Sequence, residues 1–233
     1  MEELKQEKRK TISRKKFIEN VAIGGALFLF KGVGMVSLSF GKDGSYSMII
    51  VEYEKCAGCR TCETVCSASN HPIRIAGKEY PGLGNPYLAN IKVYSYNPDT
   101  FVPNVCQFCT DSPCVDACPS PINKKTGKKA LSKDTVLGNI VYDPTVCMHC
   151  GNCARACKEK SAGVIIFDEV NRRPTGMCNL CGGDPQCVKY CPYGALHFVK
   201  GKIDKRRFYK MKPDKIAEIL AKEWYKGKGG KVQ

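Results

Sequence analysis

Residues 56–66 read CAGCRTCETVC: Cys56, Cys59, Cys62 and Cys66 fall within eleven residues at the spacing C-x2-C-x2-C-x3-C. Residues 147–157, CMHCGNCARAC, repeat that spacing with Cys147, Cys150, Cys153 and Cys157. Two looser versions complete the set. CQFCTDSPCVDACP (106–119) supplies Cys106, Cys109, Cys114 and Cys118, and CNLCGGDPQCVKYCP (178–192) supplies Cys178, Cys181, Cys187 and Cys191. All 16 cysteines of the 233-residue chain belong to these four quartets. A recurring quartet is an internal repeat of a binding unit. The apolar residues come in short runs, so the core is expected to be built around something other than side chains.

Three chemistries use many cysteines. A disulfide framework sets no sequence spacing and predicts no recurring quartet. Four-cysteine zinc takes a C-x2-C pair from each of two separated knuckles, which a run of three ligands plus a detached fourth suits poorly. Iron-sulfur chemistry accounts for the pattern. In the bacterial ferredoxin run, three closely spaced thiolates bind one 4Fe-4S cube and the fourth cysteine ligates the other cube of a pair. Sixteen ligands at four per cube give four 4Fe-4S clusters.

By analogy with compact two-cluster ferredoxins, the second and third quartets pair across residues 119–146, and the first pairs with the last around them. The expected ligand sets are Cys56, Cys59 and Cys62 with Cys191, and Cys178, Cys181 and Cys187 with Cys66. The inner sets are Cys106, Cys109 and Cys114 with Cys157, and Cys147, Cys150 and Cys153 with Cys118. A tandem pairing, first with second and third with fourth, remains open at this stage.

From VEYEKCAGCRTCETVCS (from residue 51) to CGGDPQCVKYCPYGALHFV (to residue 199), the chain resembles the four-cluster iron-sulfur subunits of molybdenum and tungsten oxidoreductases. These are the electron-transfer subunits of the dimethyl sulfoxide reductase superfamily and the polyferredoxin partners of tungsten aldehyde oxidoreductases. The resemblance implies a non-catalytic relay between a large pterin-metal subunit and a membrane quinone or cytochrome subunit or a soluble carrier. The short GGDPQ between Cys181 and Cys187 is more similar to the aldehyde oxidoreductase partners and to polyferredoxins of hydrogenase and carbon monoxide dehydrogenase systems. A free-standing polyferredoxin of that kind is the alternative, and a zinc-binding nucleic-acid protein a more distant one. Cys157 precedes Lys158, whereas Cys118 and Cys191 precede proline, which predicts a changed turn beside one cluster.

The expected fold class is α+β: two bacterial-ferredoxin-like modules of short strands and helices, plus a C-terminal helix. Strands are predicted at 47–53, 91–96, 139–143, 163–168 and 195–199, where β-branched and aromatic runs lie between turn residues. Short helices are expected after the third ligands, with Val65, Val115 and Val188 shielding the clusters. Residues 69–90, rich in Gly and Pro, read as a surface loop fit for docking a large partner. The four-cluster core spans 43–199, with an inner module near 101–170 and an outer one formed by 43–100 with 171–199.

Residues 1–42 read as an export leader or anchor. A charged start precedes the apolar run Val21–Phe30, and SRKKFI (13–18), with Arg14 and Lys15, resembles a twin-arginine signal. Ser37 and Ser39 form a weak cleavage site, and a single membrane anchor through Phe40, a core helix or a cytoplasmic chain are the other readings. The formal charge of +15 falls to about +7 once four clusters bring roughly 8 negative charges. Residues 200–233 carry twelve Lys or Arg against four acids. Within them PDKIAEILAKEWY (213–225) sets Ile216, Ile219, Leu220 and Trp224 on one helical face. That predicts a helix laid on the core or on a partner, with solvated lysines, and no nucleic-acid binding. His71, His149 and His197 read as ordinary loop or strand residues. No nucleophile-base pair, phosphate loop or carboxylate dyad is present, so no substrate site is expected.

Overall fold

The computed structural model describes residues 45–97 and 99–226. The leader reading on residues 1–42, including Arg14 and Lys15, lies outside them. Among the described residues, no helix is long and apolar enough to cross a membrane.

Among the described residues, five antiparallel two-stranded ribbons carry the loops between them. Strand β1 (Ser45–Val51) pairs with β10 (Leu196–Lys202), Met48 opposite Val199 and Val51 opposite Leu196, so the two ends of the cysteine-bearing region are tied together. Strand β2 (Ile73–Ile75) pairs with β3 (Lys78–Tyr80), and β4 (Ile91–Tyr96) with β5 (Thr100–Val105). Further along, β6 (Leu131–Lys133) pairs with β7 (Ile140–Tyr142), and β8 (Ile166–Asp168) with β9 (Arg173–Thr175). Each expected strand has a counterpart, but their partners β5, β6 and β9 were not anticipated. In β5 the cause is Pro103, which demotes a run in sequence yet is tolerated in a ribbon with only one neighbour.

The expected loop at 69–90 is a correction. It contains the β2-β3 hairpin, which turns through Ala76 and Gly77 at φ 49° and 79°, the left-handed pair that suits a tight hairpin. The segment is also pinned to the helix before it, where the Gly82 N–H donates to the Ala68 carbonyl at 2.8 Å. The β4-β5 hairpin likewise crosses the expected module boundary at residues 100 and 101.

Four helices carry the third cysteine of each quartet: α1 (Thr61–Asn70), α2 (Pro113–Asp116), α3 (Asn152–Lys160) and α4 (Gln186–Lys189). Each starts one residue before that cysteine rather than after it. Helix α1 packs on α4 and α2 on α3, so first meets last and second meets third. Between them the core is largely sulfur: Cys62, Cys66, Cys106, Cys114, Cys118, Cys153, Cys157, Cys178 and Cys187 are buried with Ile49, Ile91, Phe108, Leu131 and Leu180.

Helix α5 (Pro213–Trp224) buries Ile216, Ala217, Leu220 and Ala221. It covers Val102 of β5, with Tyr53, Phe208 and Trp224 around it and the Tyr53 and Phe208 rings edge to face at 5.4 Å. The buried stripe sits one position round from the expected face, leaving Ile219 at its margin. The segment before α5 straps the second quartet: the Thr110 N–H donates to Tyr209 Oη at 2.9 Å, and Lys210 pairs with Asp111 at 2.5 Å. Most of the tail's described positive charge is therefore solvated or used in such contacts.

Candidate functional site

Each quartet is built by one backbone device. The residue two after the first cysteine adopts positive φ: Gly58 at 68°, Phe108 at 51°, His149 at 54° and Leu180 at 54°. This turn aims its own N–H back at the sulfur. His149 N reaches Cys147 Sγ and Leu180 N reaches Cys178 Sγ, both at 3.4 Å, and Gly58 and Phe108 do the same for Cys56 and Cys106. Successive N–H groups in such turns form a concavity that accepts anions. At Gly58 no other residue fits, because a Cβ would lie 2.3 Å from the Phe101 ring.

A second left-handed residue caps the helix in three quartets: Arg60, Ser112 and Gly151, each two residues before the third cysteine. The fourth quartet differs. There Cys181 and Gly182 take the positive angles, and Pro185 caps α4 in an extended conformation. The five residues between Cys181 and Cys187 need this other path.

The fourth cysteines follow two plans. Cys66 and Cys157 lie inside the longer helices α1 and α3, four residues after Cys62 and Cys153. Cys118 and Cys191 lie just past the four-residue helices α2 and α4 and are followed by Pro119 and Pro192. Lys158 thus stands where α3 must continue, and proline there would remove a helical hydrogen bond. Either way, the third and fourth cysteines stand about one helical turn, or 5.4 Å of rise, apart, and face different cavities.

The structure brings the cysteines together as follows. Cys56, Cys59, Cys62 and Cys191 line one small cavity, walled by Val93, Pro103 and Leu196. Cys118, Cys147, Cys150 and Cys153 line another, walled by Leu131, Tyr142, Phe167 and Pro174. Each has about 330 Å³ of empty volume. Cys157 lies in electrostatic reach of Cys106, Cys109 and Cys114, and Cys66 in reach of Cys178, Cys181 and Cys187. The Cys178 N–H also donates to Cys106 Sγ, linking the last quartet to the second. Of the sixteen cysteines only Cys59 of the first quartet and Cys150 of the third are fully exposed.

Burial dominates the thiol chemistry. It pushes Cys106 and Cys187 up to about 12 and Cys153 up to about 11, and raises Cys62, Cys114 and Cys178 strongly. Cys118 goes the other way: burial raises it, but the Ser120 hydroxyl, the Ser120 and Leu131 N–H groups and Lys129 together bring it below its ordinary value. Further donors at sulfur include Asn90 N to Cys66 at 3.3 Å, Ala195 N to Cys191 at 3.3 Å, and the hydroxyl of Ser161 beside Cys109 at 3.2 Å. Asn90, Ala195 and Ser161 lie far from the cysteine motifs they serve, or just outside them, and nothing in the spacing marks them.

Iron-sulfur clusters fit this donor set: soft sulfurs in fours, apolar walls, and N–H groups aimed at the anionic sulfur. A single zinc ion would need its sulfurs about 3.8 Å apart, given Zn–S bonds near 2.3 Å. Among the described residues, no three Cys, His, Asp or Glu side chains form such a single-ion site. The histidines are ordinary as expected: His71 bonds Leu88 O, His149 bonds Arg172 O, and His197 pairs with Glu52.

No family model matches the chain. The polyferredoxin-like subunit of aliphatic sulfonate oxidoreductase from Pyrococcus furiosus is 34% identical over 184 residues, which cover 75% of this chain and 91% of that one. An uncharacterized ferredoxin of Methanocaldococcus jannaschii is 31% identical over 75% of this chain and 82% of its own length. The hydrogenase-2 operon protein HybA of Escherichia coli O157:H7 is 32% identical over 61% of this chain, and the match spans 48% of HybA. The chain carries iron-sulfur clusters and relays electrons without catalysing a reaction itself. It belongs to the ferredoxin-type, polyferredoxin-like electron-transfer subunits of oxidoreductases.

Proposed function

We propose that the chain holds four 4Fe-4S clusters in two ferredoxin-like modules and passes single electrons along them in a row. When bound, such clusters accept and release one electron each. The ligand sets are Cys56, Cys59, Cys62 with Cys191; Cys178, Cys181, Cys187 with Cys66; Cys106, Cys109, Cys114 with Cys157; and Cys147, Cys150, Cys153 with Cys118. The observation that supports this reading is that eight of the sulfurs line two cavities in fours, Cys56, Cys59 and Cys62 with Cys191 and Cys147, Cys150 and Cys153 with Cys118, while α1 packs on α4 and α2 on α3.

The order along the row follows from shared elements. Helices α1 and α4 each serve the Cys59 and Cys178 sets, the Cys178–Cys106 contact bridges the modules, and α2 and α3 each serve the Cys106 and Cys150 sets. Exposed Cys59 and Cys150 mark the two ends where electrons enter and leave. One end faces a large catalytic subunit carrying a molybdenum- or tungsten-pterin centre; the other faces a membrane quinone or cytochrome subunit or a soluble carrier. The leader with Arg14 and Lys15 sends the loaded chain out of the cytoplasm.

Anaerobic purification of the native complex tests the reading. About sixteen irons and as many acid-labile sulfides per chain are expected, with molybdenum or tungsten in a copurifying large subunit. Zinc without sulfide would end the cluster assignment. A fully loaded chain that purifies alone would favour a free-standing polyferredoxin. Recovery of the intact leader in the cytoplasmic fraction would end the export reading.

A further inference from the structure

The cavity of the Cys150 set has a buried hydroxyl in its wall whose reach is to sulfur rather than to nitrogen or oxygen. Tyr142 ends β7, opposite Leu131 of β6, and both residues line the cavity with Cys118, Cys147, Cys150 and Cys153. Its Oη is buried, has no nitrogen or oxygen partner among the described residues, and reaches the sulfur of Cys147. Buried hydroxyls in folded proteins are paired with few exceptions, and here the acceptor within reach is the sulfur of a ligand in this set. Much of the remaining wall is apolar, with Pro119, Leu131, Phe167 and Pro174, and the His149 ring beside them is held by the Arg172 carbonyl. The other chain hydroxyl at this set, Ser120 Oγ, is already engaged, accepting from Ala130 N at 2.7 Å and lying 3.4 Å from Cys118 Sγ, to whose thiolate it donates.

We propose that the Tyr142 hydroxyl donates a hydrogen bond to a sulfur of the cluster held by Cys118, Cys147, Cys150 and Cys153, and thereby raises the reduction potential of that cluster. The sign is electrostatic. Reduction adds negative charge to the sulfurs, and a donor aimed at them stabilises the reduced state more than the oxidised one. Tyr142 acts as a positioning and tuning residue, not as a ligand. Because Cys150 is an exposed end of the row, a higher potential there makes that end the one where an electron rests before transfer outward. The inference relies on the ligand set given under Proposed function.

The test uses the full chain, purified without oxygen, with iron and sulfide counted before each spectroscopic redox titration. In Tyr142→Phe one of the four midpoints moves to a more negative value, the other three stay, and one exchangeable-proton coupling disappears from the reduced spectrum. Placing 3-fluorotyrosine at position 142 keeps the ring and strengthens the donor, and moves the same midpoint the opposite way. Four unchanged midpoints in fully loaded Tyr142→Phe overturn the inference. If that variant loads poorly, the fluorotyrosine protein decides, and the absence of a shift there overturns it equally. Cys147→Ala separates the two claims: an iron count equal to wild type in that variant sinks the ligand set, whereas unchanged midpoints in loaded Tyr142→Phe sink only the role of Tyr142.

Discussion

The backbone N–H of Cys178 donates to the sulfur of Cys106, so the first cysteine of the last quartet touches the first cysteine of the second. Both side chains are buried. This contact is where the outer and inner halves of the sulfur core meet, and on the proposed relay it joins the middle clusters through a single hydrogen bond. Cys178→Ala should remove about four of sixteen irons and leave the two ends reducible but isolated from each other. Stopped-flow reduction from one end, followed by the fraction of remaining clusters that fill, measures this. Complete filling at the wild-type rate would contradict it.

Lys158 tests the two plans for the fourth cysteine. Helix α3 runs through Cys157 to Lys160, and the Ser161 N–H still bonds the Cys157 carbonyl. Lys158→Pro, although it recreates the Cys-Pro pair found after Cys118 and Cys191, should cost about 3 kcal/mol or more and lower the iron content. Lys158→Ala should be neutral within about 0.5 kcal/mol, as for other exposed changes. Chemical denaturation of the two variants under anaerobic conditions distinguishes them.

Glu63 is 3% exposed although it is a carboxylate, and it accepts from the Val93 N–H at 2.5 Å. It thereby ties α1, which holds Cys62 and Cys66, to β4. Glu63→Gln keeps an acceptor of the same shape and should cost at most about 1 kcal/mol; Glu63→Leu leaves the Val93 donor buried and unpaired and should cost about 1–3 kcal/mol. Thermal unfolding with clusters intact reads the difference.

The buried thiols set a pH dependence. In the metal-free fold Cys106 and Cys187 hold their protons up to about 12 and Cys153 up to about 11, because burial disfavours the thiolate. Iron takes the thiolate, so each of these ligands sheds a proton on loading, and rising pH lowers that cost. Iron uptake by the apo chain should therefore tighten between about pH 7 and 9, with protons released to a weak buffer. Stability of the apo fold has the opposite sign. The raised thiols stabilise it fully below the ordinary value of 9.0, and this contribution fades as pH climbs towards 12. Apo unfolding followed by circular dichroism across that window checks the second half.

The ligands and the kind of cofactor were legible in the sequence because cluster ligation needs thiols at short, fixed intervals, and C-x2-C-x2-C-x3-C leaves few other uses for them. Strands such as 91–96 were legible from their β-branched runs. The partner strand through Pro103 was not, nor was the hairpin within 69–90, since both depend on pairing that local composition argues against. The left-handed turns at Phe108, His149 and Leu180 were equally hidden. These residue types rarely take positive φ, and only packing around the sulfurs holds them there.

The linear order of residues by itself determined that sixteen thiols come as four binding units and that a short amphipathic helix follows them. Which quartet stands beside which was decided only in three dimensions. Spacing is a local property that can prescribe three ligands on one loop, whereas the fourth arrives on a helix whose neighbour is chosen by burial: α1 against α4, and α2 against α3. The same holds for the buried Tyr142 hydroxyl and for the meeting of Cys106 with Cys178, which are 72 positions apart in the chain. Contacts of that range exist only once the apolar walls have closed around the sulfurs.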